Sequence, residues 1–320
     1  MRGKRRPFNE EAIIELIQKT LYGKVLPHDD LVPFFHNGDS LALKSEMLVY
    51  STDVPPGMSL RHVGRKAVAC AVSDFAAKGV RPLVALISIA IPKSFTRKDV
   101  MLLAEGFRWA QKEFNLPILG GDTNEGQELV IDCNVVGRGR MIGRGGARDG
   151  DIVMVSGRFG YSAAGLKILL QRLNLKGKSV ERAVRSVLVP KPPLQLGLSL
   201  AERRLVTASI DSSDGLALSL YQLSEASNLG IRLTSLPYDR GVVQLAKILH
   251  EKVENLVLFG GEEFHLVVGV PPELVDEARK IASRLGEELI PVGKFEKGIK
   301  GVLGVDGQQV ERRGWIHLDD

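Results

Sequence analysis

Cysteine is scarce in this 320-residue chain: Cys70 and Cys133 are the only two, and neither lies in a CxxC pair. That spacing gives no disulfide framework and no thiolate zinc site. No apolar run is long enough to span a bilayer. The basic start MRGKRRPFNEE is not followed by an apolar signal core, so the expectation is a cytoplasmic protein. The GxxxxGK(S/T) phosphate loop and the HRD and DFG motifs of protein kinases are also missing. The Gly- and Arg-rich stretch GRGRMIGRGG at 137–146 misses the dinucleotide pattern GxGxxG, because Ile142 occupies the third glycine position.

What is present is 44% hydrophobic and 25% charged, the balance of a soluble globular protein. The length predicts two domains, 1–145 and 146–320. A net charge of +5 permits an anionic partner. Most Lys and Arg are interleaved with acids, the pattern of a solvated surface, so nucleic-acid binding is the lesser reading.

The periodicities predict alternating helices and strands. A helix over 9–22 has Asn9 as cap and Ile13, Ile14, Ile17 and Leu21 as its apolar stripe. MLVYSTD at 47–53 reads as a strand ending in two hydroxyls and a carboxylate, and VPPGMS as the loop after it. A helix over 61–78 buries Val63, Ala67, Cys70, Ala71 and Phe75 on one side. LVALISIAI at 83–91 fits a strand with both faces covered. A helix capped by Thr96 and a strand over 129–136 follow. The second half repeats the alternation, with a strand at 152–156 and helices over 163–173 and 194–203. A further strand, ending at Ile210, leads into a helix striped by Leu216, Leu220, Leu223 and Ala226.

Acids recur at the turns. LGGDTNEG at 119–126 presents Asp122 on two glycines, backed by Thr123. A hard oxygen ligand on such a turn suits a divalent cation carrying phosphates, and a plain structural turn uses the same residues. Asp29 and Asp30 follow a proline, where a solvated turn is the alternative. Asp74 lies near a helix C-terminus, unfavourable for a carboxylate. A bound cation would compensate it, and so would pairing with Lys78 at i+4. In ASIDSSDGL, Asp211, Ser213 and Asp214 surround a strand-to-helix turn that Asp214 could simply cap. FGGEEF at 259–264 repeats the Gly-Gly-acid pattern with Glu262 and Glu263. Arg144 is the candidate for a phosphate in the basic loop, with a flexible loop as the alternative. Bare carboxylates about 4 Å apart repel by roughly 4 kcal/mol per pair at an effective dielectric of 20. Several converging acids therefore imply Mg²⁺, with polyphosphate as its natural company.

STD at 51–53, VSDFAAKG at 72–79, LGGDT at 119–123, RGGARDGD at 144–151, SAAGL at 162–166, DSSDGL at 211–216 and FGGEEF at 259–264 resemble, in this order, the thiamine-monophosphate kinase family. The similarity extends to the closing GWIHL. The resemblance implies an α/β, two-domain aminoimidazole ribonucleotide synthetase-like fold, whose N-terminal domains pair into a shared β-barrel in a homodimer. It implies ATP-dependent phosphorylation of thiamine monophosphate to thiamine diphosphate. Asp30, Ser51, Thr52, Asp53, Asp74, Asp122, Asp211 and Asp214 would hold Mg²⁺. Gly121, Asp122, Arg144 and Ser213 would contact ATP. Glu262 and Trp315 would contact the thiamine phosphate, Glu262 facing its cationic part and Trp315 stacking on its rings; a solvated acid and a packing anchor are the plain alternatives.

The chain departs from the family pattern in three places. His28-Asp29-Asp30 stands where GDD is usual, the loop after Asp53 is short and carries no matching His, and GGEEFH replaces GGEDYE. Two sister activities are disfavoured. Selenophosphate synthesis needs a reactive Cys or selenocysteine near the N-terminus, and hydrogenase maturation needs a C-terminal Cys; the first Cys here is Cys70 and the chain ends in Asp320. Another superfamily acceptor, or a non-catalytic nucleotide-binding dimer, is the remaining alternative.

Overall fold

A computed structural model of the chain describes residues 9–26 and 29–315. His28 and the closing residues 316–320 lie outside the described residues.

Two mixed sheets divide the chain. The first contains β1 (Val32–His36), β2 (Asp39–Val49), β3 (Arg81–Ile91), β4 (Ile118–Gly120), β5 (Thr123–Glu125) and β6 (Val130–Arg138). Its order is β1-β2-β6-β3-β4, with β5 also paired to β3. β2, β6 and β3 run antiparallel, while β4 and β5 join β3 in parallel. The second sheet holds β7 (Ile152–Val155), β8 (Ala208–Ser212), β9 (Gly230–Leu233), β10 (His265–Val270), β11 (Ile290–Glu296) and β12 (Val302–Leu303). Its order is β12-β9-β11-β7-β10-β8.

The helices include α1 (Glu10–Tyr22), the single turn α2 (Tyr50–Asp53), α3 (Leu60–Lys78), α4 (Arg97–Phe114), α5 (Tyr161–Leu170), α6 (Lys178–Leu188), α7 (Leu194–Glu202) and α8 (Leu216–Ser227). Asn9 caps α1, and Thr96 forms a reciprocal capping box with Asp99 on α4. No helix of the described residues is long and apolar enough to cross a membrane.

α3 is the hub. It packs on α4, β2 and β6 within the first half and on α7 and β8 of the second. A one-sided apolar stripe was the expectation; instead nearly every residue from Val63 to Lys78 is buried, because both halves of the chain close on it. Small residues make this possible. A Cβ on Gly64 would lie 2.5 Å from the Leu103 carbonyl, and one on Gly106 only 2.2 Å from that of Arg61, so α3 and α4 approach backbone to backbone.

β3 is also placed differently from its expectation. Its inner residues Ala85 and Ile87 are buried, but Leu83 and Leu86 are exposed. On the same outer face of the sheet, β2 exposes Leu43 and Met47. The apolar run is thus covered on one face only within a single chain. Ile17 and Leu21 of the α1 stripe are exposed as well.

Candidate active site

Three carboxylates from distant parts of the chain meet between the two sheets. Asp30 precedes β1, Asp74 lies in the penultimate turn of α3, and Asp211 lies in β8. Each offers an oxygen within 4.8 Å of the others, and all three are buried. β8 runs on to Ser212, so Asp211 is fixed inside a strand rather than in the turn after Ile210.

Buried cations frame this triad. Lys78, fully buried at the end of α3, sits 2.7 Å from Asp29 and 2.8 Å from Asp30. Arg144 donates from Nε to Asp30 at 3.2 Å, and its backbone N–H donates to Asp29 at 3.3 Å. Lys44 of β2 lies 2.6 Å from Asp74 and 3.0 Å from Glu46. Asp74 therefore pairs with Lys44 on the strand that α3 packs against and not with Lys78 one helical turn on. Lys78 is committed to the two aspartates ahead of β1.

These neighbours split the titration of the triad. Burial raises the Asp30 carboxyl, but the Lys78 and Arg144 charges outweigh it and hold the group at about 2. Burial pushes Asp74 well above the ordinary carboxylate range; Lys44 opposes this and the Asp211 and Asp30 carboxylates add to it. Burial and then the Asp30 charge raise Asp211 to about 7, against the hydrogen bond that Ser73 donates to it at 2.7 Å. Two desolvated acids crowded beside a third form a hard-oxygen donor set, and a divalent cation such as Mg²⁺ would favour their ionised forms.

The STD stretch stands on the helical turn α2 and not on a strand end. There the Asp53 carboxylate accepts from the Val49 N–H at 2.6 Å. The Ser51 hydroxyl and N–H both donate to Glu128, at 3.1 and 2.7 Å, and the Thr52 hydroxyl reaches the Val49 carbonyl. Gly121 and Asp122 lie at the exposed β4–β5 junction, where Asp122 accepts from the Thr123 N–H at 2.8 Å. Gly121 has φ +152°, and an added Cβ would fall 1.7 Å from the Ile87 carbonyl, so the junction admits no side chain there. Asp53, Asp122 and Asp214 are outside the close triad.

On the other side, the turn after β8 is stitched to the acidic loop. The Glu262 N–H donates to the Ser213 carbonyl at 2.6 Å, and the Trp315 N–H donates to the Asp214 carbonyl at 2.9 Å. Ser213, Asp214, Glu262 and Trp315 are thereby brought to one place, with Trp315 56% exposed. Gly215, not Asp214, occupies the cap position of α8. Lys66, buried in α3, joins the two halves of the site: its ammonium donates to the Asp53 carbonyl at 2.7 Å and also pairs with the Glu262 carboxylate. Glu262 and Phe264 both adopt positive φ, 62° and 53°. Phe264 turns into the core, and His265 packs on Phe159. The GGEEFH replacements thus fall on packing positions beside Glu262.

Sequence patterns missed the buried counter-cations Lys44 of β2 and Lys66 of α3 and the Ser73 hydroxyl, and they offered Lys78 to Asp74 where the structure gives it to Asp29 and Asp30. For Lys66 the available signal is a charge on α3 at a position that its apolar context would bury.

Residues 28–139 match the model of the AIR synthase related protein N-terminal domain, and 148–306 that of the C-terminal domain. The chain is 35% identical over 313 residues to thiamine-monophosphate kinase of Nitrosopumilus maritimus, covering 97% of this chain and 98% of the relative. It is 32% identical over 289 residues to that of Pyrococcus horikoshii, covering 88% and 87%. A solved structure described as AaThiL complexed with AMPPCP and TMP superposes with a TM-score of 0.88 at 28% identity, covering 98% of this chain and 99% of the other. A HypE–HypF complex matches in fold, with a TM-score of 0.76 at 21% identity over 94% of this chain and 99% of the other.

Proposed function

The chain belongs to the thiamine-monophosphate kinase family, and we propose that it transfers the γ-phosphoryl group of ATP to thiamine monophosphate, giving ADP and thiamine diphosphate. The observation that carries this reading is the buried triad of Asp30, Asp74 and Asp211 between the two sheets. It is read together with the relatives that bear the name of this activity over nearly the whole chain and the similar structure described with AMPPCP and TMP.

Phosphoryl transfer has a loose transition state that asks for alignment and charge neutralisation more than for covalent help. The acceptor phosphate is already largely dianionic near neutral pH and needs no strong base. This suits a site of carboxylates, lysines and an arginine in which no His or Cys among the described residues is asked to act as a nucleophile. Asp30, Asp74 and Asp211 would hold Mg²⁺, with Asp214 and the Ser51, Thr52, Asp53 and Asp122 groups completing its ligands or those of further ions. Bound Mg²⁺ would neutralise the triphosphate oxygens and the charge that develops during transfer. Arg144, already held beside Asp30, and Ser213 would orient the triphosphate, and the Gly121–Asp122 junction would take the nucleotide. Glu262 would face the thiazolium cation and Trp315 would stack on the acceptor's rings. Lys66 would keep Glu262 in place from the protein side. The division of labour follows proposed domains 1–145 and 146–320.

The outer face of the first sheet, with Leu43, Met47, Leu83 and Leu86 exposed, is an apolar patch suited to a second copy of the chain, so we assign a homodimer through this sheet. The cytoplasm, where ATP is abundant, is its compartment. The test is to incubate the protein with Mg²⁺-ATP and a panel of phosphorylated metabolites, following ADP and product identity. Thiamine monophosphate should be the acceptor that yields a diphosphate. ADP release with a different acceptor would overturn the substrate, and no acceptor-dependent ADP would overturn the enzyme.

A further inference from the structure

On the far side of the linker between the sheets lies a second charged cavity. It is a cleft of about 750 Å³ at the junction of β3, β6 and α7. Five guanidinium groups line it: Arg81 at the start of β3, Arg138 at the end of β6, Arg140 and Arg148 on the linker, and Arg204 just past α7. Arg138 is paired with Asp39 at 2.6 Å. Among the described residues, no carboxylate pairs with the side chains of the other four, and all four are exposed to the cleft's solvent. Its floor includes Met141, Ile142 and Leu198.

Four unpaired guanidiniums around one concavity concentrate positive potential where low-dielectric walls focus it. Each presents a planar fork that matches two phosphate oxygens, which a lone ammonium does not. The volume is that of a small-molecule pocket rather than of a groove that follows a nucleic-acid backbone. Glu202 adds one carboxylate to the lining, which suits a ligand carrying both phosphate and a donor or cationic body. We propose that this cleft is a second anion site, separate from the acid triad, that takes the di- or triphosphate group of a small molecule.

The cleft is joined to the catalytic side through the chain that separates them. The segment that supplies Arg140, Met141 and Ile142 to the cleft continues within two residues to Arg144, which pairs with Asp30. The Ile142 N–H donates to the Lys78 carbonyl at 3.1 Å, and the Ser209 N–H donates to the Gly143 carbonyl at 3.1 Å. An anion bound by Arg140, Arg148 and Arg204 would tie this segment to α7 and fix Arg144 against the triad.

The proposal does not depend on the kinase reading, and its test omits divalent cations so that no metal held by the triad contributes. Inorganic pyrophosphate is titrated calorimetrically into the full-length protein in EDTA at fixed ionic strength, with ADP and thiamine diphosphate as parallel arms. The wild type should bind pyrophosphate. R140Q/R204Q should weaken it at least tenfold and R148Q alone at least threefold. The control R279Q/R284Q, which removes the same charge from outside the cleft, and D211N should stay within twofold of wild type. Tighter binding of one organic diphosphate that is lost in R140Q/R204Q identifies its source, and equal binding assigns the free inorganic ion. No binding by the wild type at millimolar pyrophosphate, equal binding by R140Q/R204Q, or an equal loss in R279Q/R284Q overturns the proposal.

Discussion

Glu263 and His265 make a test of the electrostatics that needs no ligand. Glu263 is buried behind the candidate substrate loop and accepts from the Gly160 N–H at 2.6 Å. Burial raises its carboxyl from 4.5 to about 7, against hydrogen bonds from Gly160 and Ser162. Burial lowers the His265 imidazole from 6.5 to about 4, with the nearby Arg182 charge acting in the same direction. The two groups face one another at 3.9 Å. Each displacement corresponds to about 3 kcal/mol at about 1.4 kcal/mol per pH unit. The signs are opposite. Glu263 costs the folded state nothing below the unfolded value near 4.5, and its cost grows as pH rises to about 7. His265 costs nothing above 6.5, and its cost grows as pH falls to about 4. Between about pH 4.5 and 6.5 the folded pair holds one proton, and so does the unfolded pair, so their contributions to the pH slope cancel. Single substitutions break the cancellation. The stability of E263Q relative to wild type should rise by up to about 3 kcal/mol from pH 4.5 to 7, and that of H265Q should rise by a similar amount from pH 6.5 down to 4. Urea unfolding at half-unit pH steps reads both differences. A difference that stays flat across this range for either variant would refute the argument that burial sets these titrations.

Three further outcomes follow from the site and the sheet. D211N removes one of three crowded carboxylates, so calorimetry should show the Mg²⁺-dependent part of ATP binding falling at least tenfold; ATP affinity that is equal with and without Mg²⁺ in the wild type would sink the metal assignment. K66M leaves the buried side of Glu262 unpaired and should cost about 3 kcal/mol in chemical denaturation, with K66M/E262Q recovering part of it, whereas equal loss in both would show that the pair is not coupled. L86D, placed on the exposed face of β3, should give a one-chain sedimentation mass at micromolar concentration where the wild type gives two; an unchanged mass would move the dimer contact elsewhere.

Much of this arrangement is legible in local patterns. The caps Asn9 and Thr96, the alternation of strands and helices, and the acids at glycine-bearing turns are short-range signals, and they recur where expected. The failures share a cause: the competing interaction comes from far along the chain. Lys78 could be read as a partner for Asp74 four residues away, but the triad is assembled by residues up to 181 positions apart, and Lys78 goes to Asp29 and Asp30 instead. Lys66 reaches Glu262 across 196 positions. The one-sided stripe on α3 underestimates its burial because the second half of the chain, through α7 and β8, covers the side a local reading leaves to water. Asp214 has the chemistry of a cap but sits one residue too early, since Gly215 takes that position. The open face of β3 carries the reverse lesson: an apolar run read as doubly buried is covered once within one chain, and its second cover is the proposed partner copy.

The most direct measurement of the central claim is a single turnover with γ-labelled ATP, Mg²⁺ and thiamine monophosphate, quenched and separated into protein, nucleotide and thiamine fractions. Direct in-line transfer predicts that the label leaves ATP and appears in the terminal phosphate of thiamine diphosphate, one for each ADP formed, with none retained on the protein. Label on the protein, or ADP formed without labelled thiamine diphosphate, would contradict it.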